Sequence, residues 1–355
     1  MLRDVADKIS SGKRLTEEDA LSLFRSDALF TLGRLASHVA HQKNGDKVYF
    51  VVNRHINPTN ICVNRCAFCA FSRSRGEDGA FALTIDEIIS KLGTRNTGGK
   101  TPFREVHIVG GLHPDWSFDH YCAMVSAIKK AFPRIHIKAF TAVEIDYFSR
   151  ISRLPVQEVL ARLKKSGLDA MPGGGAEIFA EGVRAKLCPE KLTGEQWLRV
   201  HETAHRCGIP TNATMLYGHI EAYEDRVDHL FRLRRLQDRT RGFQAFIPLS
   251  YHPKNTDIGG YYTSGIDDLK TLAISRLVLD NIPHIKAYWI MLGEKIAQLA
   301  LLFGADDLDG TIMEEKITHS AGAMSREGLT KRELMNLIRR AGKVPVERDA
   351  FYHAV

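Results

Sequence analysis

Three cysteines lie within eight residues of this chain, at Cys62, Cys66 and Cys69. The C-x3-C-x2-C spacing lets three thiolates reach one soft metal centre, and iron-sulfur clusters are held by cysteine thiolates. A cubane of four irons needs four ligands, so a loop with three cysteines leaves one iron without a protein ligand. The loop therefore predicts a [4Fe-4S] cluster with one iron open to another molecule.

Two other kinds of protein also use clustered cysteines. A structural zinc site would normally pair this C-x2-C with a second one, and none follows. A ferredoxin-like electron carrier would be expected to supply a fourth cysteine close by. The remaining cysteines, Cys122, Cys188 and Cys207, stand singly and are predicted to be buried core thiols. S-adenosylmethionine (SAM) explains the open iron better, because its amino and carboxylate groups chelate iron and its reductive cleavage releases a 5'-deoxyadenosyl radical.

Composition restricts the class of protein further. The 355 residues carry 49 Lys and Arg against 42 Asp and Glu, a formal net charge of +7, without a basic tract that would indicate nucleic-acid binding. The chain has no run of eighteen apolar residues, and its N-terminus reads directly into charged helical sequence. We therefore expect a soluble cytoplasmic protein that binds neither nucleic acid nor membrane, in a compartment that keeps thiols reduced.

Short β-rich runs alternate with helical patterns, which is typical of parallel βα units. The pattern predicts eight strands, near Val48–Val52, Glu105–Val109, His136–Thr141, Gly167–Met171, Pro210–Met215, Phe243–Pro248, His284–Trp289 and Ala305. We expect an α/β fold, a (β/α)8 TIM-type barrel over residues 46–310, with helical extensions over residues 1–45 and 311–355.

Barrel enzymes carry their sites on the loops after the strands, and the unusual residues of this chain fall there. Gly110 and Gly111 follow the second strand and allow close backbone approach to a ligand, unless they form only a tight turn. The other candidates are two carboxylates for SAM hydroxyls or ammonium and two histidines for hydrogen bonding or acid-base work: Glu144, Glu177, His219 and His252. The histidines have a structural alternative. The acidic, turn-rich segment 306–311 lies near the eighth strand and has a solvated helix cap as its alternative.

The cysteine loop resembles that of the radical SAM superfamily, whose signature is C-x3-C-x-aromatic-C, with Phe68 as the aromatic residue. The resemblance implies that Phe68 lies beside the adenine and that the Gly110-Gly111 turn contacts the methionine amine. Further segments resemble the aminofutalosine synthase family: Asn57–Cys62, Pro172–Phe179, Asn212–Glu221, Phe246–Pro253, His284–Trp289 and Asp307–Thr311.

This narrower resemblance implies that the adenosyl radical adds to the enol ether of 3-[(1-carboxyvinyl)oxy]benzoate to give 6-amino-6-deoxyfutalosine, an intermediate of menaquinone synthesis. SAM is then consumed, and an electron donor such as flavodoxin or ferredoxin is required. A dicarboxylate substrate calls for strong donors, preferably arginine. The cyclic dehypoxanthinyl futalosine synthase and FO synthase-like enzymes remain alternatives, because they share the barrel and the cysteine loop.

Overall fold

The computed structural model describes residues 2–93, 103–312 and 315–355. Its helices are α1 (Leu2–Ser10), α2 (Glu17–Arg25), α3 (Leu29–Asn44), α4 (Ile85–Gly93), α5 (Phe118–Ala131), α6 (Ala142–Ser152), α7 (Val156–Ser166), α8 (Glu181–Leu187), α9 (Gly194–Arg206), α10 (Tyr223–Thr240), α11 (Gly265–Val278), α12 (Trp289–Ala300), α13 (Ile317–Ser320) and α14 (Lys331–Arg340). Its strands are β1 (Lys47–Val51), β2 (Asn53–Ile56), β3 (Glu105–Ile108), β4 (His136–Ala139), β5 (Thr211–Tyr217), β6 (Phe243–Ser250), β7 (His284–Ile285), β8 (Asp307–Gly310) and β9 (Val344–Glu347).

The strands close into the predicted parallel barrel. β2, β3 and β4 pair side by side, and β5, β6 and β7 form a second run. Parallel bridges at Ala170 and Met171 connect β4 to β5, and the bridge from Lys286 to Asp307 connects the end of β7 to β8. β8 pairs with β1, which continues into β2. The fourth barrel strand is thus the short bridged pair 170–171, and the ring has eight members.

The helices that surround the barrel follow from local sequence. In α5 the side chain of Ser117 caps the first turn, and the buried residues Phe118, Tyr121, Val125 and Ile128 recur at helical spacing. Burying one such stripe against the barrel removes several large apolar side chains from water, each worth about 1.5–3 kcal/mol. The rigid barrel that results holds the loops at its carboxyl end.

One helix lies where the sequence predicts a loop. α6 begins immediately after β4, and Glu144 is its third residue rather than a loop residue. Thr141 accepts a hydrogen bond from the Glu144 N–H, and the Glu144 carboxylate accepts one from the Thr141 N–H, at 3.4 and 2.7 Å. This reciprocal pair is a capping box, so the Thr-x-x-Glu spacing in the sequence indicated that a helix begins here. The predicted strand His284–Trp289 is likewise shorter, since α12 begins at Trp289.

The acidic segment 306–311 contains the eighth barrel strand and is not a solvated helix cap. Asp307 bonds to Arg348 at 2.8 Å, and Asp309 pairs with Lys286 at 3.0 Å, with all four side chains at least nine-tenths buried. The sequence left the helix cap open because the cations that neutralise these carboxylates stand elsewhere in the chain. A buried carboxylate is tolerated only with such partners.

The two ends of the chain pack on the barrel. α3 lies against α11 and α2 against α10. The sequence predicts only helices after residue 310, whereas the structure adds β9, which pairs in parallel with β1. Arg348 follows β9 directly and is fully buried against β8. Among the described helices, none is long and apolar enough to cross a membrane.

The barrel interior contains a buried ion pair below the site. Lys138 Nζ lies 2.7 Å from Glu105 Oε2, and both side chains are almost inaccessible to solvent. Burial opposes ionisation of Glu105, yet the cations of Lys138 and Arg348 lower its pKa to about 2. The carboxylate therefore stays ionised inside the barrel.

Replacing Glu105 by alanine is expected to lower the free energy of unfolding by about 3–5 kcal/mol, because the Lys138 ammonium loses its buried partner. The pair Glu105→Leu with Lys138→Met should recover most of that loss. Because the folded pKa is about 2 and the ordinary value is 4.5, the carboxylate's contribution is complete above pH 4.5 and vanishes as pH falls towards 2. Denaturant unfolding followed by circular dichroism measures these effects, and a single variant as stable as the wild type would contradict them.

Candidate active site

A cavity of about 320 Å³ opens at the carboxyl ends of the barrel strands. The sequence predicts ten site residues, and nine of them line this cavity: Cys62, Cys66, Phe68, Cys69, Gly110, Gly111, Glu144, Glu177 and His252. His219 does not line it. The barrel thus gathers residues from most of its strand ends around one space.

The cysteine loop, residues 62–69, is fixed by the rest of the fold. Its backbone N–H groups donate to the carbonyls of Arg73, Leu112 and Leu187 at 3.1, 3.0 and 2.8 Å. Burial raises the pKa of the Cys62 thiol, and it raises that of Cys66 to about 12. Because a metal-bound thiol is deprotonated, a metal centre in this loop must displace protons that burial otherwise retains.

The donor set fits a cluster better than a single ion. Around one tetrahedral zinc the sulfurs lie about 3.8 Å apart, since each Zn–S bond is about 2.3 Å. In the described part of the chain, no three His, Cys, Asp or Glu side chains converge closely enough to hold one ion. In a cubane each thiolate binds a different iron, so wider spacing is required. His201 and His205, which have a spacing seen in zinc sites, both bond to Thr211 instead.

A fourth cysteine lies close to the loop. Cys188 is buried, and its charge is among those that raise the pKa of Cys66. The neighbouring Leu187 carbonyl accepts the hydrogen bond from Ala67. Cys188 does not line the cavity. Cys188 is therefore the residue to replace in order to test whether the metal centre has four thiolate ligands rather than three.

A lysine next to the cysteine loop was missed by sequence reasoning. Lys191 Nζ lies 2.5 Å from Glu177 Oε1 and 4.8 Å from the centre of the Phe68 ring. Burial alone would lower the pKa of Lys191, but the thiol of Cys66 and the carboxylate of Glu177 hold it well above its ordinary value. The same ammonium keeps the pKa of Glu177 below its usual range against the effect of burial. The pair remains charged beside the cysteines.

Glu144 links the glycine turn to α6. Its carboxylate accepts hydrogen bonds from the N–H of Thr141 and, at 3.3 Å, from that of Gly110. Burial raises the pKa of Glu144 to about 7 although both bonds favour the ionised form. With this pKa the carboxyl is partly protonated near neutral pH, and a cation that binds beside it favours the ionised form.

Gly111 has a structural role apart from any ligand. Its N–H donates to the Thr59 carbonyl at 2.8 Å, which brings the turn against the chain that leads into the cysteine loop. A Cβ at this position would collide with the carbonyl of Ile61, the residue before Cys62. The glycine is therefore required for packing of the cysteine loop, a reason that the sequence did not reveal.

His219 is enclosed in its own loop. Its Nδ1 lies 2.8 Å from Glu221 Oε2, and its Nε2 lies 3.1 Å from the Leu216 carbonyl. Burial opposes ionisation of Glu221, but His219 and Arg226 lower its pKa to about 2. Arg226 continues the network to Asp267 at 2.8 Å. The structure therefore keeps the His219 side chain out of the cavity lining, although its Nε2 bonds to Leu216, a residue that lines the cavity.

Four side chains that line the cavity carry a buried polar atom without a hydrogen-bond partner in the described residues: His55 Nε2, Asn57 Oδ1, Asn212 Oδ1 and His252 Nδ1. The opposite nitrogen of His252 donates to the Met291 carbonyl at 3.0 Å, and burial lowers its pKa. An unpaired buried polar group costs about 1–3 kcal/mol. A ligand that bonds to these atoms recovers that free energy.

His55, His107 and Lys286 also line the cavity and were not predicted from the sequence. They lie on or beside barrel strands rather than on the loops that follow them. The sequence did contain a pattern that indicates His55, because Asn53, His55 and Asn57 alternate along one strand and therefore share one polar face. No arginine lines the described cavity, whose cations are Lys191 and Lys286. The expectation of strong donors, preferably arginine, for the substrate carboxylates stays a prediction.

Known protein families and individual proteins are similar to this chain over nearly its whole length. Residues 56–233 match the model of the radical SAM superfamily, and residues 240–355 match the CofH/MqnC C-terminal region. Aminodeoxyfutalosine synthases of Thermus thermophilus and Streptomyces coelicolor are 51% and 45% identical over 99% of this chain, covering 95% and 93% of those proteins. The 5-amino-6-(D-ribitylamino)uracil–L-tyrosine 4-hydroxyphenyl transferase of Methanococcoides burtonii is 42% identical over 96% of both chains.

Solved structures support the fold. The structure of methylornithine synthase (PylB) matches with a TM-score of 0.76 at 18% identity, covering 96% of this chain and 97% of that one. The hydrogenase maturase HydG of Carboxydothermus hydrogenoformans matches with a TM-score of 0.75 at 16% identity, covering 99% of this chain and 80% of that one. With near-complete relatives at 51% and 45% identity, the chain belongs to the radical SAM superfamily, whose enzymes use a [4Fe-4S] cluster and SAM, and within it to the family of aminodeoxyfutalosine synthase.

Proposed function

We propose that this enzyme adds the 5'-deoxyadenosyl group of SAM to the alkene carbon of 3-[(1-carboxyvinyl)oxy]benzoate. Aryl migration and loss of the carboxyl group, which combines with water to leave as bicarbonate, then give 6-amino-6-deoxyfutalosine for menaquinone synthesis. Methionine is the second product, and the electron that split SAM returns to the cluster. The observation that carries the proposal is the 51% identity over 99% of the chain to an aminodeoxyfutalosine synthase.

A second candidate function rests on the archaeal relatives. The tyrosine 4-hydroxyphenyl transferases are 41% to 44% identical to this chain, close to the 45% of the Streptomyces enzyme. By their printed name the transferases act on L-tyrosine, and their sequence identity to this chain is nearly that of the synthases, so identity alone separates the two functions weakly. Identification of the reaction product distinguishes between the two candidate substrates.

We propose that Cys62, Cys66 and Cys69 hold the cluster, because they are the cysteines that line the cavity. When bound, the cluster supplies the electron that splits SAM into methionine and the adenosyl radical. The SAM-binding role is assigned to Phe68, Gly110, Gly111, Glu144 and Glu177. Glu144, with its raised pKa, is the partner proposed for the methionine ammonium, since Glu177 already pairs with Lys191.

The two histidines receive different roles. His252 lines the cavity with an unpaired Nδ1, so it is proposed to position the substrate through one bound water, which donates to that nitrogen and to a substrate carboxylate. His219 is proposed as a positioning residue, which holds the loop after β5 through Glu221. Both roles serve to hold the alkene against the 5' carbon and to keep water from the radical.

The electron must come from a carrier of low potential, for which we propose a flavodoxin or ferredoxin. Arg65 lies exposed on the cysteine loop and donates to the Cys62 carbonyl at 2.7 Å. Its positive charge offers an acidic carrier a contact near the cluster.

Replacing Cys62, Cys66 or Cys69 by alanine is expected to abolish SAM cleavage, because each removes one of three ligands. Cys188→Ala is the matched control, since that thiol is buried nearby but outside the cavity. Iron content and SAM cleavage after anaerobic reconstitution measure the result. Loss of iron in Cys188→Ala, with the fold retained, would favour a four-thiolate electron carrier.

Glu144→Gln is expected to weaken SAM binding about tenfold, because the amide keeps the capping geometry but cannot become an anion for the ammonium. In the wild type, SAM affinity should rise as pH increases through about 7, where Glu144 ionises, and the variant should lose this rise. Equilibrium binding between pH 6 and 8 provides the measurement, with Glu158→Gln on the exposed side of α7 as control. An unchanged pH profile in the variant would remove Glu144 from the SAM site.

Label in the adenine or ribose of SAM is expected to appear covalently in aminodeoxyfutalosine, in step with methionine release, when the enol ether is supplied. Mass spectrometry of the anaerobic reaction detects it. In His252→Gln, product should fall more than uncoupled SAM cleavage, because substrate positioning is lost. Labelled 5'-deoxyadenosine as the sole nucleoside product would instead favour the cyclic dehypoxanthinyl futalosine synthase reaction, and product from tyrosine would favour the transferase.

A further inference from the structure

Two histidines of neighbouring barrel strands face each other within the cavity wall. His55 of β2 and His107 of β3 stand directly opposite in the parallel register. Their rings stack with centroids 4.6 Å apart and planes 22° apart. Both residues line the cavity. The register of the strands therefore creates a double imidazole surface that neither strand shows alone.

Neither imidazole has a hydrogen-bond partner among the described residues. His55 is only 7% exposed, and its Nε2 is one of the buried atoms without a partner. Burial also keeps both rings neutral, since it lowers the pKa of His55 and lowers that of His107 to about 3. A neutral imidazole carries one N–H donor, so the pair presents two donors that the protein itself does not use.

The surroundings of the imidazole pair are electrically balanced. Lys286 is paired with Asp309 at 3.0 Å, and Glu315 is paired with His319 at 3.0 Å. Tyr288 also lines the cavity, and its hydroxyl makes no hydrogen bond to a described residue. Near the imidazole pair, each described carboxylate that lines the cavity is therefore paired with a cation and does not repel a bound anion.

The position of the pair selects one of the two substrate carboxylates. The carboxyvinyl group contains the reacting alkene, so its carboxylate must stay near SAM and the cysteine loop. His55 lies on a strand, seven residues before Cys62, whereas the cysteines lie on the loop beyond that strand. The deeper group on the barrel wall is thus suited to the carboxylate on the aromatic ring.

We propose, resting on the proposed function, that His55 and His107 form the subsite for the aryl carboxylate of the substrate and donate paired N–H hydrogen bonds to it. The hydroxyl of Tyr288 completes the donor set. This assigns substrate selection to two residues that have no part in holding the cluster or SAM.

Binding of the anion should bring a proton with it. The groups that act on the His55 charge are the anions Asp309, Glu315 and Glu105 and the cation Lys286, while Lys138 also acts on His107. His319, which pairs with Glu315 and has a pKa raised to about 9, supplies a third cation. Three anions then face three cations, so a bound carboxylate becomes the deciding charge and raises the pKa of the imidazole pair. Proton uptake of up to about one per site follows from linkage.

The test uses cluster-loaded enzyme saturated with SAM, titrated calorimetrically with 3-methoxybenzoate and with 3-methoxybenzamide. The wild type is expected to bind the acid about tenfold or more tightly than the amide, since hydrogen bonds to a charged group are the stronger ones. His55→Asn and His107→Asn should each remove this preference while iron content and SAM affinity persist. His41→Asn, an exposed change on α3, is the control and should retain it.

A second measurement needs no variant. The enthalpy of 3-methoxybenzoate binding to the wild type is measured in phosphate buffer and in Tris buffer. If binding takes up protons, the two enthalpies differ in proportion to the number of protons taken up. Equal affinity for acid and amide, or a preference retained in both histidine variants, would overturn the subsite. Absence of proton uptake would overturn the protonation of the bound imidazole pair. A different result would contradict the proposed function alone. In that case the wild type makes no nucleoside adduct from the enol ether, but it still prefers the acid and the histidine variants still lose that preference.

Discussion

The close approach of two backbone segments at Gly111 is the constraint on which the site depends. The turn after β3 lies against the carbonyl of Ile61 with no room for a side-chain carbon. Since Cys62 follows at once, this contact sets where the cysteine loop begins. Further backbone bonds from the loop to Leu112 and Leu187 fix its middle. Three cysteines close in sequence are thus held by contacts distant in sequence, which makes the loop part of the barrel.

The barrel interior is unusually polar beneath this loop. Ion pairs such as Lys138 with Glu105 and Arg348 with Asp307 fill space where barrels commonly pack branched apolar side chains. Such pairs contribute little net stability, because removing the charges from water offsets their attraction. They do hold neighbouring groups in defined positions. In particular, Lys286 and Asp309 surround the imidazoles with fixed charges that sum to nearly zero.

This arrangement divides the cavity into two chemical environments. Near the cysteines, Lys191 and Glu177 form a charged pair beside Phe68. Deeper on the wall, His55 and His107 are neutral and unbonded. A radical reaction needs the alkene at a defined distance from the 5' carbon and needs water excluded. Binding the two ends of a ligand in unlike environments supplies that orientation without a group that must react with the radical.

The sequence by itself determined the cysteine spacing, the eight-strand alternation and the strand-end residues Glu144, Glu177 and His252, because these are local patterns read along one strand and the residues that follow it. It also carried the capping signal at Thr141 that was overlooked. Only the tertiary structure decided which residues share the cavity. It placed Lys191 beside the cysteines and bound His219 to Glu221 in its own loop, outside the cavity lining. The physical reason is that burial, ion pairing and strand register join residues far apart in sequence: the acidic segment 306–311 is buried only because Arg348 and Lys286 come to meet it.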